Sequence, residues 1–147
     1  VPRAANRIDR NQPELVEALR RARWTVLLLS GYGLPVDLLC ADGLIALPKA
    51  MHQEILFEWV TAGRFKPSAR GGHGKTWVAE IKDPQKNPSA RRLTAPCAAF
   101  MLTWPGPGAV VLSVEEALEA GAMCRAGELE SAATAAQRYV QATGGVG

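Results

Sequence analysis

Residues 76–82 read Thr-Trp-Val-Ala-Glu-Ile-Lys, an apolar run into which a carboxylate and an ammonium are set two positions apart. An unpaired charge inside a sheet costs several kcal/mol, so this run can be a strand only if Glu80 and Lys82 find partners. Alternate side chains of a strand share a face, so Glu80 and Lys82 point to one side while Ile81 enters the core. The same tension recurs in residues 36–40, Val-Asp-Leu-Leu-Cys, where Asp37 lies inside a second apolar run. If the two runs are neighbouring strands and Asp37 faces the same way, two carboxylates and an ammonium converge.

Such a set has a definite chemistry. Two carboxylates suit a hard divalent cation such as Mg²⁺, which takes oxygen ligands and keeps several waters. A cation held there polarises a phosphodiester and lowers the pKa of a bound water. The lysine beside it orients that water or offsets the charge that develops. The candidate centre is therefore Asp37, Glu80 and Lys82.

The rest of the chain frames these strands. At 147 residues it fits one domain, and 48% hydrophobic with 21% charged residues is the balance of a folded globule. Asn11-Gln-Pro-Glu spells a capping box, and Leu15, Ala18, Leu19 and Ala22 recur at helical spacing, which predicts a helix over 12–23. A buried strand is expected over 25–30, a break at Gly31-Tyr-Gly-Leu-Pro, a strand over 36–40 and a hairpin turn at Asp42-Gly43 leading to a return strand over 44–47. Met51, Ile55, Leu56, Trp59 and Val60 mark an inserted helix ending at Gly63, followed by a glycine-rich basic loop. After the strand at 76–82 come a helix opening at Leu93-Thr94, with Ala99, Phe100 and Leu102 available to its apolar side, and a strand over 109–112. Ser113-Val-Glu-Glu is a second capping box, starting a helix to about Gly121, and an alanine-rich helix over 128–142 reads as a peripheral strut. The order is that of a mixed α/β or α+β layer fold with a small central sheet.

Charge is unevenly spread. Residues 63–92 hold eight basic and two acidic side chains, whereas 113–147 hold two basic and five acidic ones. A basic middle of this kind suits a polyanion-facing surface, with Arg70, Lys75, Lys86, Arg91 and Arg92 as candidate phosphate contacts. Residues 69–76, Ala-Arg-Gly-Gly-His-Gly-Lys-Thr, approach a phosphate-cradling loop. Such a loop needs a strand before it and a helix after it, and here the strand follows, so a flexible backbone contact is the better reading. His52 and His73 lack ligand partners at zinc spacing, Cys40, Cys97 and Cys124 read as buried reduced thiols, and Trp77 reads as sheet-face packing rather than a base-stacking platform. No apolar stretch approaches the ~20 residues of a membrane span, and charges interrupt any leader-like segment. A cytoplasmic protein is expected.

Taken in order, Asn11-Gln-x-Glu, Gly-x-Gly-x-Pro with an Asp-Leu-Leu strand, Glu-Ile-Lys-Asp, Leu-Thr, and Val-Val-Leu-Ser-Val-Glu-Glu-Ala-Leu resemble the PD-(D/E)xK nuclease superfamily, in its small phage and prophage VRR-NUC or Holliday-junction-resolvase-like branch. The resemblance covers roughly residues 7–120 apart from an insertion at about 46–75. It implies a restriction-endonuclease-like core in a domain over 1–121, with 122–147 as a helical appendage. It implies a Mg²⁺- or Mn²⁺-dependent DNA endonuclease in which Asp37 and Glu80 bind the metal, Glu14 completes the site and Lys82 serves the attacking water. The expected partner is DNA. A homodimer is expected because a domain this small needs a second copy to cut both strands, phage-encoded proteins are the other expected partners, and a phage-encoded chain would work in the host cytoplasm. Two departures stand out. The family's Pro-Asp is Pro35-Val-Asp37 here, and one extra residue inverts a side chain's facing unless the turn absorbs it. The family's Leu-Thr-Pro-x-x-Gln is Leu93-Thr-Ala-Pro-Cys-Ala98, lacking the glutamine. Both leave room for an alternative, a catalytically inactive nuclease-fold protein that binds nucleic acid or serves as a structural module in a phage assembly.

Overall fold

A computed structural model of the chain describes residues 9–42 and 75–147. The expected return strand at 44–47, the inserted helix with Trp59, His52, His73, Arg70 and most of the basic loop lie outside the described residues. Described in chain order are α1 (Gln12–Arg21), β1 (Thr25–Leu28), a 3-10 turn (Leu29–Tyr32), β2 (Leu38–Ala41), β3 (Thr76–Ile81), a second 3-10 turn (Pro88–Arg91), α2 (Ala95–Thr103), β4 (Gly108–Val111), α3 (Val114–Arg125) and α4 (Ala132–Thr143). The sheet has the order β1-β2-β3-β4, antiparallel at the first two joints and parallel at the last. It is a mixed α+β fold, as the order of elements predicts, and no helix among the described residues is long and apolar enough to cross a membrane.

The two faces of the sheet are separate cores. One gathers Leu15, Leu19, Trp24, Leu38, Trp77 and Ile81 beneath α1 and α3. The other gathers Leu29, Val36, Leu39, Val78, Phe100 and Ala135 beneath α2 and α4. Strand alternation explains the division: Trp77, Ala79 and Ile81 go to the first face, and Val78 goes to the second. Trp77 is fully buried and meets Trp24 edge to face at 5.9 Å, the packing role expected of it. All three cysteines are buried free thiols.

Several local expectations are corrected by packing. Asn11 does not cap α1 with its side chain. Its amide instead donates to the carbonyls of Lys82 and Leu112, both at 3.1 Å, where β3 and β4 have ended and two carbonyls need donors. α1 ends at Arg21, and Trp24 N–H closes back on the Leu19 carbonyl, with Arg23 in the left-handed region. α2 buries Cys97, Ala98, Phe100 and Met101 and leaves Ala99 and Leu102 exposed, because its contact face is set by α4 as well as by the sheet. α3 runs through Gly121 to Arg125, since that glycine lets the Trp24 ring approach the helix rather than stopping it. Half of the second capping box forms: Glu116 N–H donates to Ser113 Oγ, but the Glu116 carboxylate accepts from the amide of Leu112, one residue before the cap. The C-terminal helix, read as a strut, sends Ala132, Ala135 and Ala136 into the second core.

One tight point in this packing is Gly108, where β4 passes α4. A Cβ there would stand 2.6 Å from the Ala132 Cβ and 3.0 Å from Val78 Cγ2. Gly108→Ala is expected to destabilise the fold by about 1–3 kcal/mol in urea unfolding. Gly31→Ala, which meets nothing within 4 Å, is the control expected to leave the midpoint nearly unchanged.

Candidate functional site

β2 and β3 pair with Leu38 opposite Ala79 and Cys40 opposite Trp77. One step further, Asp37 comes beside Glu80, and the ladder gives way to side chains. The Ile81 N–H donates to Asp37 Oδ2 at 2.8 Å, and the Asp37 N–H donates to Glu80 Oε1 at 3.2 Å. Each carboxyl group thus takes an amide from the other strand. Lys82 follows one residue beyond β3, held by its own N–H to the Val111 carbonyl, and its Nζ lies 3.1 Å from Glu80 Oε2.

The extra residue before Asp37 is absorbed as the facing requires. Val36 is buried in the same core as Leu39, so the alternation breaks between Val36 and Asp37 instead of carrying Asp37 to the far side. The turn that permits this contains Gly33 at φ 78°, a left-handed conformation that suits glycine. Asp37, Glu80 and Lys82 consequently share one cleft of about 590 Å³, together with Asp9, Ser30, Asp83, Lys86, Thr94 and Pro96.

Electrostatics distinguish this cluster from an ordinary ion pair. Burial pushes the Glu80 carboxyl well above the usual carboxylate range, and the facing Asp37 carboxyl pushes it further. Burial also raises Asp37, more than the Ile81 amide and the Glu80 hydrogen bond lower it. Burial would lower Lys82, but the Glu80 carboxylate overrides it and raises the ammonium's pKa. Lys82 is therefore a fixed cation and hydrogen-bond donor at neutral pH, not a base. The Cys97 thiol is pushed up by burial and then by Glu80, so it is no nucleophile.

The donor chemistry fits a hard cation. Asp37 and Glu80 offer facing carboxyl oxygens in a cleft open to water. Among the described residues no group of three His, Cys, Asp or Glu side chains could hold a metal ion, so a cation here would complete its shell with water or substrate oxygens. Glu14 is not brought to this centre. It is exposed and lines a neighbouring cleft of about 660 Å³ with Arg10, Gln85 and Glu115. Asp83 borders both clefts, buried, with Oδ1 accepting from the Gln85 N–H.

The candidate phosphate contacts scatter. Lys86 lines the cleft but is paired with Asp9 at 2.6 Å. The Arg92 Nε donates to the Thr143 carbonyl, and the Arg91 carbonyl accepts from the Tyr139 hydroxyl. Lys75 precedes β3, at the end opposite Glu80. Asp9, Ser30 and Thr94 were not anticipated in the cleft. Only Thr94 had a local signal, as the residue before Ala95-Pro96 that accepts the Cys97 amide and caps α2.

No family model matches the chain, and neither curated proteins nor solved structures provide a match.

Raised carboxyl pKa values link to stability. A carboxyl whose folded pKa lies above its unfolded value contributes stability at low pH, which is lost as pH rises through the folded pKa. Without divalent ions, the wild type is expected to lose stability from acidic to neutral pH. Glu80→Gln should flatten that dependence and be relatively more stable at neutral than at acidic pH, as read by thermal unfolding across the pH range. An unchanged slope would remove Glu80 as its source.

Proposed function

We propose that this chain is a divalent-cation-dependent nuclease of PD-(D/E)xK type, with a restriction-endonuclease-like core, hydrolysing DNA phosphodiester bonds by direct water attack. The observation that carries the reading is the meeting of Asp37, Glu80 and Lys82 in one open cleft with the two carboxyl groups face to face. A buried and a half-buried carboxyl set beside each other are an expensive arrangement for a sheet end that needs only backbone satisfaction. A cation is the partner that lets both ionise.

The charge of the cleft supports the same reading. Asp9, Asp37, Glu80 and Asp83 line it against Lys82 and Lys86, an excess of carboxylate that repels a phosphodiester. A bound Mg²⁺ or Mn²⁺ would reverse that sign locally, polarise the phosphoryl oxygen and lower the pKa of a bound water. Asp37 and Glu80 would hold the cation, with the hydrogen bonds they accept from the Ile81 and Asp37 amides fixing where the carboxyls sit. Lys82, kept charged by Glu80, donates a hydrogen bond to the attacking water or the developing phosphorane charge. Lys86, on the exposed arm, contacts the phosphate backbone once it leaves Asp9.

Incubation with plasmid and with branched DNA tests the proposal. Cleavage is expected with Mg²⁺ or Mn²⁺ and not with EDTA, and Lys82→Ala and Asp37→Asn should each lower the rate about 10²-fold or more. DNA binding without cleavage, insensitive to Mg²⁺ and to Asp37→Asn, would instead favour the inactive nucleic-acid-binding reading. Neither binding nor cleavage would overturn both.

A further inference from the structure

We propose that the outer edge of β4 is a docking strip for an extended, basic segment of a partner protein, which joins the sheet as a further strand. This site lies apart from the cleft and does not depend on the nuclease reading. Its basis is the parity of β4. Val78 N–H donates to the Pro107 carbonyl and Lys82 N–H to the Val111 carbonyl, so Pro107, Ala109 and Val111 turn towards β3. Gly108, Val110 and Leu112 turn outwards.

Two of these outward residues are already served. Gly108 N–H donates to the Glu130 carbonyl at 3.2 Å, and Leu112 N–H donates to Glu116 Oε1 at 3.3 Å. The Leu112 carbonyl accepts from Asn11. Between them, the outward N–H and C=O of Val110 have no partner among the described residues. The edge already accepts strand geometry, because Ser131 forms an antiparallel bridge with Pro107. β1, at the other side of the sheet, is blunted instead: Arg20 donates to its outward Val26 carbonyl.

Around Val110 runs a groove of about 320 Å³ between α3 and α4. Its floor includes Ala109, Val110, Ala120 and Leu129, with Met123 exposed at its side. Its rim carries Glu116, Glu119, Glu128 and Glu130 against a single cation, Arg138, which is tied to Glu130. An apolar floor beneath an acidic rim selects an extended segment whose alternate residues are apolar and basic. A second copy pairing edge to edge would set glutamates against glutamates, and a polynucleotide would meet the same repulsion. Among the described residues only a short stretch of edge is open, so the affinity is modest and falls with salt.

A fluorescently labelled peptide of alternating valine and lysine, titrated with the full chain and read by anisotropy, tests the proposal. Its control is the same peptide N-methylated at the central residues, which keeps the charge and removes the ladder donors. Saturable binding is expected for the first and at least ~10-fold weaker binding for the second. Glu119→Lys, on an exposed position, should weaken binding about 10-fold or more. Amide exchange at Val110 should slow when the peptide is added. The proposal fails if both peptides bind alike or neither binds, in which case the glutamates only shield the edge. It fails equally if Glu119→Lys changes nothing, or if Val110 is already protected in the free chain. A concentration-dependent dimer abolished by Glu119→Lys would assign the edge to a second copy and overturn it too.

Discussion

Ile81 carries its amide into a region where β2 has already ended at Leu38, and a buried amide must be satisfied. The Asp37 carboxylate does so, standing in for the strand carbonyl that would lie there, while the Asp37 amide is returned to Glu80. The functional cluster is thereby also the terminus of the β2–β3 pairing. Its carboxyls cannot drift apart without unpairing backbone. Asn11 extends the same logic outwards by tying the carbonyls of Lys82 and Leu112, so that α1 fixes the strand end from which Lys82 projects. Positioning of this kind, through backbone bonds rather than flexible side-chain pairs, is what a centre needs to hold ligands in place.

The position carries a cost in charge. Glu80 and Asp37 face each other with Lys82 as the neighbouring cation, and both carboxyls sit above their ordinary pKa. On the proposed reading, a divalent cation would let both carboxyls ionise. At the far edge of the sheet the same sign of charge has a different setting: Glu116, Glu119 and Glu128 are exposed, Glu130 is half-buried beside Arg138, and the four line a groove. Burial separates the acidic pair proposed to hold a metal from the acidic rim proposed to receive a basic chain.

Much of this was legible in the sequence because it followed from periodicity. The parity of Glu80, Ile81 and Lys82 fixed their facing, and the sheet honours it. The facing of Asp37 was not legible, since it depends on how a turn with Gly33 in the left-handed region accommodates Val36. Local spelling misled where tertiary demand was stronger. Asn11 and Glu14 spell a capping box, yet Asn11 is drawn to two strand-end carbonyls and Glu14 is left exposed beside another cleft. Gly121 reads as a helix stop and is a contact with Trp24. The cleft's remaining walls, Asp9, Ser30 and Thr94, come from separate segments, and no window of sequence brings them together.

The central claim is that Asp37 and Glu80 form a divalent-cation site, and Mn²⁺ titration followed by water-proton relaxation tests it most directly. A bound Mn²⁺ that keeps several exchangeable waters should enhance relaxation, with proton release as the raised carboxyls ionise. The enhancement should vanish in Asp37→Asn and survive in Glu14→Gln. No enhancement in the wild type, or an enhancement that Asp37→Asn leaves intact, would contradict the account.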